Sequence, residues 1–156
     1  MAPELSHSDL DSYRDRFESI DETIAAGMSR WSIPVLRVSL GLVFVWFGAL
    51  KLLDVSPAAD LVAATVYVVP PELFVPVLGA WEVAIGLCLL SPRLTRVGIL
   101  LLFLQMPGTF LPFVVLPDVT FATVPYELTV EGQYIVKNLV LIGAALAIGG
   151  TVRNSE

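Results

Sequence analysis

Four long apolar segments constrain the fold of this chain more than any other feature. They occupy residues 33–53, 73–90, 97–116 and 135–151. Each has a length suited to a bilayer core, which a helix of about 17–25 residues crosses. Because backbone groups in lipid must be hydrogen-bonded within the segment, we expect each one to be an α-helix. The pattern predicts an all-α integral membrane protein, a bundle of four transmembrane helices.

The composition agrees with this prediction and excludes several functions. Of the 156 residues, 56% are apolar and 15% are charged, whereas soluble domains average about 45–50% and about 25%. No basic stripe follows the sequence, so we expect no nucleic-acid partner. Cys88 and His7 are the only residues of their types. This chain alone therefore cannot form an internal disulfide or a His/Cys metal site, and we expect no metal and no covalent cofactor.

The N-terminal segment differs from the rest of the chain. Seven of the fifteen acidic residues lie in the first 22 positions. Apolar residues recur there at steps of three and four: Leu10, Tyr13, Phe17, Ile20, Ile24, Met28 and Trp31. This spacing predicts an acidic amphipathic helix over residues 1–31, followed by a membrane domain over residues 32–153. Such a helix either docks a partner or interface, or folds back on its own bundle.

The distribution of arginines predicts the orientation in the membrane. With four spans, both termini and the connection between the second and third spans lie on one side. That side holds Arg14, Arg16, Arg30, Arg93, Arg96 and Arg153, while the two opposite connections have acidic residues and no Lys or Arg. Since positive charge remains cytoplasmic, we expect a multi-pass protein of the plasma or inner membrane with both termini in the cytoplasm.

Several polar residues interrupt the apolar spans. They are Arg37, Lys51, Glu82, Gln105, Lys137 and Asn138. Ionisable residues inside a membrane are costly and normally face protein or a cavity. The residue spacing places Arg37, Gly41, Gly48 and Lys51 on one face of the first span and puts Gly79, Glu82 and Gly86 on one face of the second. We expect these two faces to meet, with Glu82 paired to Arg37, Lys51 or Lys137.

These six polar residues form the candidate ligand-binding cluster, and no catalytic residue is predicted. If its four ionisable members are charged, the cluster carries a charge of +2. This would suit an anionic or carbonyl-bearing guest, such as a quinone head group or a lipid phosphate. The alternative is structural. The two cations nearer the surfaces, Arg37 and Lys51, would extend toward the head groups. Gln105 and Asn138 would then form hydrogen bonds between helices.

Three stretches of the sequence are similar to one known family. The first runs from Leu36 to Gly41 and on through Phe44, Phe47-Gly48 and Lys51-Leu52. The second is Gly79-Ala80-Trp81-Glu82 with Gly86 and Arg93, and the third is Glu131-Gly132-Gln133-Tyr134 with Lys137-Asn138-Leu139. In order and spacing they resemble the DoxX family of small four-span membrane proteins.

The resemblance implies a class of function. The family takes its name from a subunit of a thiosulfate:quinone oxidoreductase, and other members resemble accessory proteins of membrane oxidoreductases. We therefore expect a subunit or accessory protein of a quinone-linked membrane oxidoreductase or respiratory complex. Its partners would be membrane lipids and the other subunits, and its ligand a bound quinone or lipid. The alternative is a non-catalytic assembly or scaffold factor, and a small transporter is a weaker third.

Overall fold

The structure, a computed structural model, describes residues 7–66 and 68–152, with side chains from residue 16 onward. The chain divides into two compact units, Met1–Val35 and Leu36–Glu156. The elements are α1 (His7–Leu52), α2 (Ala59–Thr65), α3 (Pro71–Leu90), α4 (Thr95–Phe110), α5 (Pro112–Val115), α6 (Pro117–Thr120), β1 (Phe121–Thr123), β2 (Glu127–Leu128), α7 (Val130–Val136) and α8 (Asn138–Val152).

Four helical runs in the described residues are long and apolar enough to cross a membrane. They are Arg16–Leu52, Pro71–Leu90, Thr95–Val115 and Val130–Val152. Each contains most of one apolar segment found in the sequence. The predicted fold class, an all-α membrane bundle, is therefore confirmed, and the chain is a multi-pass membrane protein.

The first unit contains the N-terminal part of α1. Its apolar residues are exposed from Phe17 to Trp31, with exposed fractions of 79% and 61% at the two ends. The side chains of Leu10 and Tyr13, which begin the predicted stripe, lie outside the described residues. The stripe is therefore helical and exposed where the structure describes its side chains.

The second unit is built around a core that four helices share. Its buried residues come from α1, α3, α4 and α8: Leu40, Phe44, Ile85, Leu89, Leu102, Met106, Ala144, Ala145 and Ile148. The outward faces of these helices carry exposed Leu, Val and Trp side chains. An apolar interior surrounded by apolar outer faces is the arrangement expected of helices that lipid surrounds.

Two glycine pairs bring α1 and α3 into close antiparallel contact. A Cβ atom on Gly48 would lie 2.6 Å from the carbonyl oxygen of Gly79, and one on Gly86 would lie 2.6 Å from that of Gly41. Real Cβ atoms do not approach a carbonyl oxygen so closely. Glycine at these positions therefore lets the two backbones touch, as small residues do between membrane helices. This contact brings together the two faces that the sequence predicts to meet.

The C-terminal end of α1 is closed by a turn with a left-handed residue. Asp54 has φ of 56°. The N–H of Val55 donates to the carbonyl of Leu50 at 3.0 Å, and the N–H of Asp54 donates to that of Lys51 at 3.4 Å. These two bonds form a Schellman motif, which satisfies carbonyl groups at the helix end.

A short hairpin joins the third and fourth spans. Strands β1 and β2 pair antiparallel, and the peptide bond between Val124 and Pro125 in their turn is cis. The hydroxyl of Thr129 donates to the Val119 carbonyl at 2.6 Å and accepts from the N–H of Gly132 at 3.1 Å. Thr129 thus caps α7 and anchors this helix to α6, just before the hairpin.

Candidate functional site

Glu82 is the centre of a buried polar cluster in the second unit. It lies on α3 and is 7% exposed. Its Oε2 atom accepts a hydrogen bond from the ammonium group of Lys51 at 2.6 Å. Its Oε1 atom accepts from Nε2 of Gln105 at 2.9 Å. Both carboxylate oxygens are therefore bonded, and the cluster joins α1, α3 and α4.

The glycine contact explains why Lys51 and Glu82 meet. Side chains on a helix lean toward its N-terminus. On two antiparallel helices, Lys51 leans toward Gly48 and Glu82 leans toward Gly79, so that both approach the same point. A Cβ atom on Gly79 would also lie 2.9 Å from that of Lys51. The close backbone approach thus sets the position of the ion pair.

Lys51 is turned into the bundle in this structure. It is 5% exposed, so its ammonium group does not extend to the surface. Removing one partner of a buried ion pair costs about 3–5 kcal/mol, because the other charge is left buried and unpaired. Each charge of the pair is therefore stable in the protein interior only while its partner is present.

One polar atom of the cluster lacks a partner. The Oε1 atom of Gln105 is buried and accepts no hydrogen bond from any residue that the structure describes. The neighbouring indole of Trp81 is not its donor, since the indole N–H donates to the Leu101 carbonyl at 3.3 Å. A buried acceptor left unpaired costs about 1–3 kcal/mol. The cluster therefore presents an acceptor that a hydrogen-bond donor would satisfy.

A comparison with known families relates this cluster to other proteins. The family model of DoxX matches residues 32–115, which is more than half of the chain. The chain belongs to the DoxX family. The matched region of this DoxX protein includes Lys51, Glu82 and Gln105. No curated protein and no solved structure matches the chain.

The DoxX bundle keeps the other three candidate residues away from Glu82. The side chain of Arg37 is half-buried, and it forms no hydrogen bond or ion pair with any residue that the structure describes. Lys137 is exposed, with its ammonium group 4.8 Å from the centre of the Tyr134 ring. The amide of Asn138 donates to the backbone of its own helical run, at the carbonyls of Tyr134 and Ile135.

This placement changes the electrostatics expected of the site. Lys51 and Glu82, when both are ionised, sum to zero, whereas the charge expected for all four ionisable residues was +2. The sequence-based cluster did not include Trp81, whose indole N–H donates to the Leu101 carbonyl and so ties α3 to α4. The signal for this bond was an indole N–H inside a span, where lipid offers no acceptor. A neutral cluster with one free acceptor suits a neutral hydrogen-bonding guest better than a phosphate.

Proposed function

We propose that this DoxX protein is a subunit or accessory protein of a quinone-linked membrane oxidoreductase or respiratory complex. In this proposal the cluster of Lys51, Glu82 and Gln105 holds the head group of a quinone inside the membrane. The observation that carries the proposal is the buried, unpartnered Oε1 atom of Gln105 beside a fully bonded carboxylate.

The donors and acceptors of the cluster fit such a head group. An ammonium group has three N–H donors, and one of those on Lys51 is bonded to Glu82. Another could donate to a quinone carbonyl, while Gln105 Oε1 could accept from the hydroxyl of the reduced form. A bound quinone would carry reducing equivalents for the partner subunits, and this chain would bind and orient it.

The arginines and the N-terminal helix bear on the topology and the partners of the chain. The arginine distribution supports cytoplasmic termini in a plasma or inner membrane. Residues 1–31 would then form a cytoplasmic docking helix and residues 32–153 the membrane domain. The apolar stripe from Phe17 to Trp31 is exposed and supports an interaction at this helix, since large exposed apolar patches usually mark an interaction surface. Membrane lipids and the other subunits of the complex would be the partners of the membrane domain.

Quinone retention tests the proposal. The protein would be purified from its native membrane in mild detergent, and quinone per chain would be measured by extraction and mass spectrometry. We expect quinone to co-purify with the wild type. Gln105→Leu, which removes the free acceptor together with the hydrogen bond to Glu82, should lower retention at least about tenfold, the effect of losing 1.4 kcal/mol of binding free energy.

Lys137→Met is the matched control, because it also removes a polar group from a span but lies outside the cluster. It should retain as much quinone as the wild type. Equal retention by Gln105→Leu and Lys137→Met, or no quinone in the wild type, would contradict the proposal.

A role as an assembly or scaffold factor is the second candidate. The observation in its favour is that the polar cluster bonds three helices to one another and so could serve the bundle alone. Deletion of the gene separates the two functions. A partner complex that assembles poorly but keeps full turnover per assembled complex favours the scaffold, whereas normal assembly with reduced quinone-dependent turnover favours the quinone site.

A further inference from the structure

Most apolar residues of the exposed stripe in the first unit have the spacing of a coiled-coil seam. The structure exposes Phe17, Ile20, Ile24, Met28 and Trp31, each by more than half. With Phe17 at heptad position a, the a positions are Leu10, Phe17, Ile24 and Trp31, and the d positions are Tyr13, Ile20 and Gly27. Six of these seven positions have apolar side chains, as two helices need to pack along a shared seam, and Met28 lies beside the seam at position e.

The charges beside the seam indicate which partner fits. In a parallel two-stranded coiled coil, the residue at g faces the residue at e of the next heptad on the other helix. Here Arg16 at g would face Asp21 at e of a second copy, and the sequence has Asp9 and Arg14 at the corresponding g and e positions one heptad earlier. Both pairs have opposite charges. Arg16 and Asp21 are exposed, and neither forms an ion pair with a side chain of residues 16–66 or 68–152.

An anionic lipid surface fits this face less well than a second copy of the chain does. The acidic residues beside the stripe, Glu18 and Glu22 among them, disfavour binding to an anionic lipid surface, which selects Lys and Arg. A second copy of the same membrane protein inserts in the same direction, so that its N-terminal helix is parallel to the first. Confinement to one membrane also raises the effective concentration of the two helices.

We propose that this face binds the same face of a second copy of the chain, as a parallel coiled coil over residues 10–31. Gly27 at the seam has open space around its Cα in the single chain, and in the dimer it would allow the helices to approach closely. The proposal is independent of the quinone site. Its failure would leave quinone retention unaffected, and loss of quinone would leave dimer formation unaffected.

Disulfide cross-linking of the full-length chain in native membranes tests the contact. Cys88, the single native cysteine, is first replaced in Cys88→Ala. Single cysteines are then placed on the seam, in Ile20→Cys and Ile24→Cys, and on the opposite face, in Ser19→Cys and Glu22→Cys. We expect seam cysteines to form disulfide-linked dimers at least about tenfold faster than those on the opposite face. Equal rates on both faces, or no dimers of the chain, would overturn the proposal.

Charge reversal tests the parallel register in the Ile24→Cys background. Arg16→Glu places two like charges opposite each other and should slow cross-linking about threefold, as expected for exposed ion pairs. Adding Asp21→Arg restores opposite charges between copies and should restore the rate. Glu18→Lys, at position b outside the seam, is the control and should have no effect. If the double variant remains as slow as Arg16→Glu, the parallel register is wrong.

Discussion

Replacing Lys51 by Met removes the cation paired with Glu82 and leaves a carboxylate buried in the bundle. Lys51 and Glu82 are 5% and 7% exposed, so water does not solvate either charge. The free energy of unfolding should fall by about 3–5 kcal/mol in Lys51→Met. For a chain of this length that corresponds to a midpoint about 10 °C lower.

The double variant separates a lost charge partner from lost packing. When Glu82→Leu is added to Lys51→Met, no unpaired charge remains, and buried ion pairs replaced by apolar residues of similar size are often neutral in stability. The double variant should therefore remain only about 1–3 kcal/mol below the wild type, the cost of leaving the Gln105 amide without its acceptor on Glu82. The two single substitutions would then be strongly coupled in a double-mutant cycle.

The assay is thermal unfolding of the detergent-solubilised chain, followed by circular dichroism and by loss of the monodisperse gel-filtration peak. Lys137→Met is the matched control, because its ammonium group is exposed, and its midpoint should not change. The reasoning is refuted if Lys51→Met unfolds like the wild type, or if the double variant is as unstable as the sum of the single variants.

Three further predictions concern the helix contacts and ends, and the same unfolding assay measures each. Gly48→Ala should destabilise the bundle by about 1–3 kcal/mol, because the new Cβ would meet the backbone of Gly79 at 2.6 Å. Gly143→Ala, where a Cβ meets nothing within 4 Å, is its control and should be neutral or mildly stabilising. Asp54→Gly should stabilise the chain by about 1 kcal/mol, since glycine adopts the left-handed φ of 56° without steric cost, and a midpoint below the wild type would contradict this. Thr129→Val removes the cap of α7 and should cost about 1 kcal/mol, whereas an unchanged midpoint would show that the cap contributes nothing.

Hydropathy and residue spacing were sufficient to predict the membrane bundle and the meeting of two helix faces. Bilayer thickness fixes the length of a span, and helical periodicity fixes which residues share a face. The glycines at positions 41 and 48 therefore predicted the side of α1 that contacts α3. Span length and the set of residues on one face are properties of a single helix, so the sequence alone is sufficient to predict them.

The pairing partner of Glu82 could not be chosen from the sequence. The sequence allowed three ion-pair partners for Glu82, namely Arg37, Lys51 and Lys137, because depth along a span does not reveal how helices are arranged around one another. Lys51 is the partner because its side chain and that of Glu82 both lean toward the contact between Gly48 and Gly79. The sequence could not predict the free acceptor on Gln105 either. It depends on which amide atom of Gln105 faces the Glu82 carboxylate once three helices have packed.

The most direct measurement of the central claim is the distance between the Lys51 ammonium nitrogen and the Glu82 side-chain carboxyl carbon in lipid bilayers. Lys51 is the sole lysine of the Lys137→Met variant, so that ¹⁵N-lysine and ¹³C-glutamate labels with rotational-echo solid-state NMR report on it without ambiguity. We expect strong dephasing from a distance below about 4 Å, as in a direct charge-assisted hydrogen bond. Loss of this dephasing in Glu82→Gln would assign the signal. An absence of dephasing in the parent variant would show that the two groups do not meet inside the membrane, and the proposed site would be wrong.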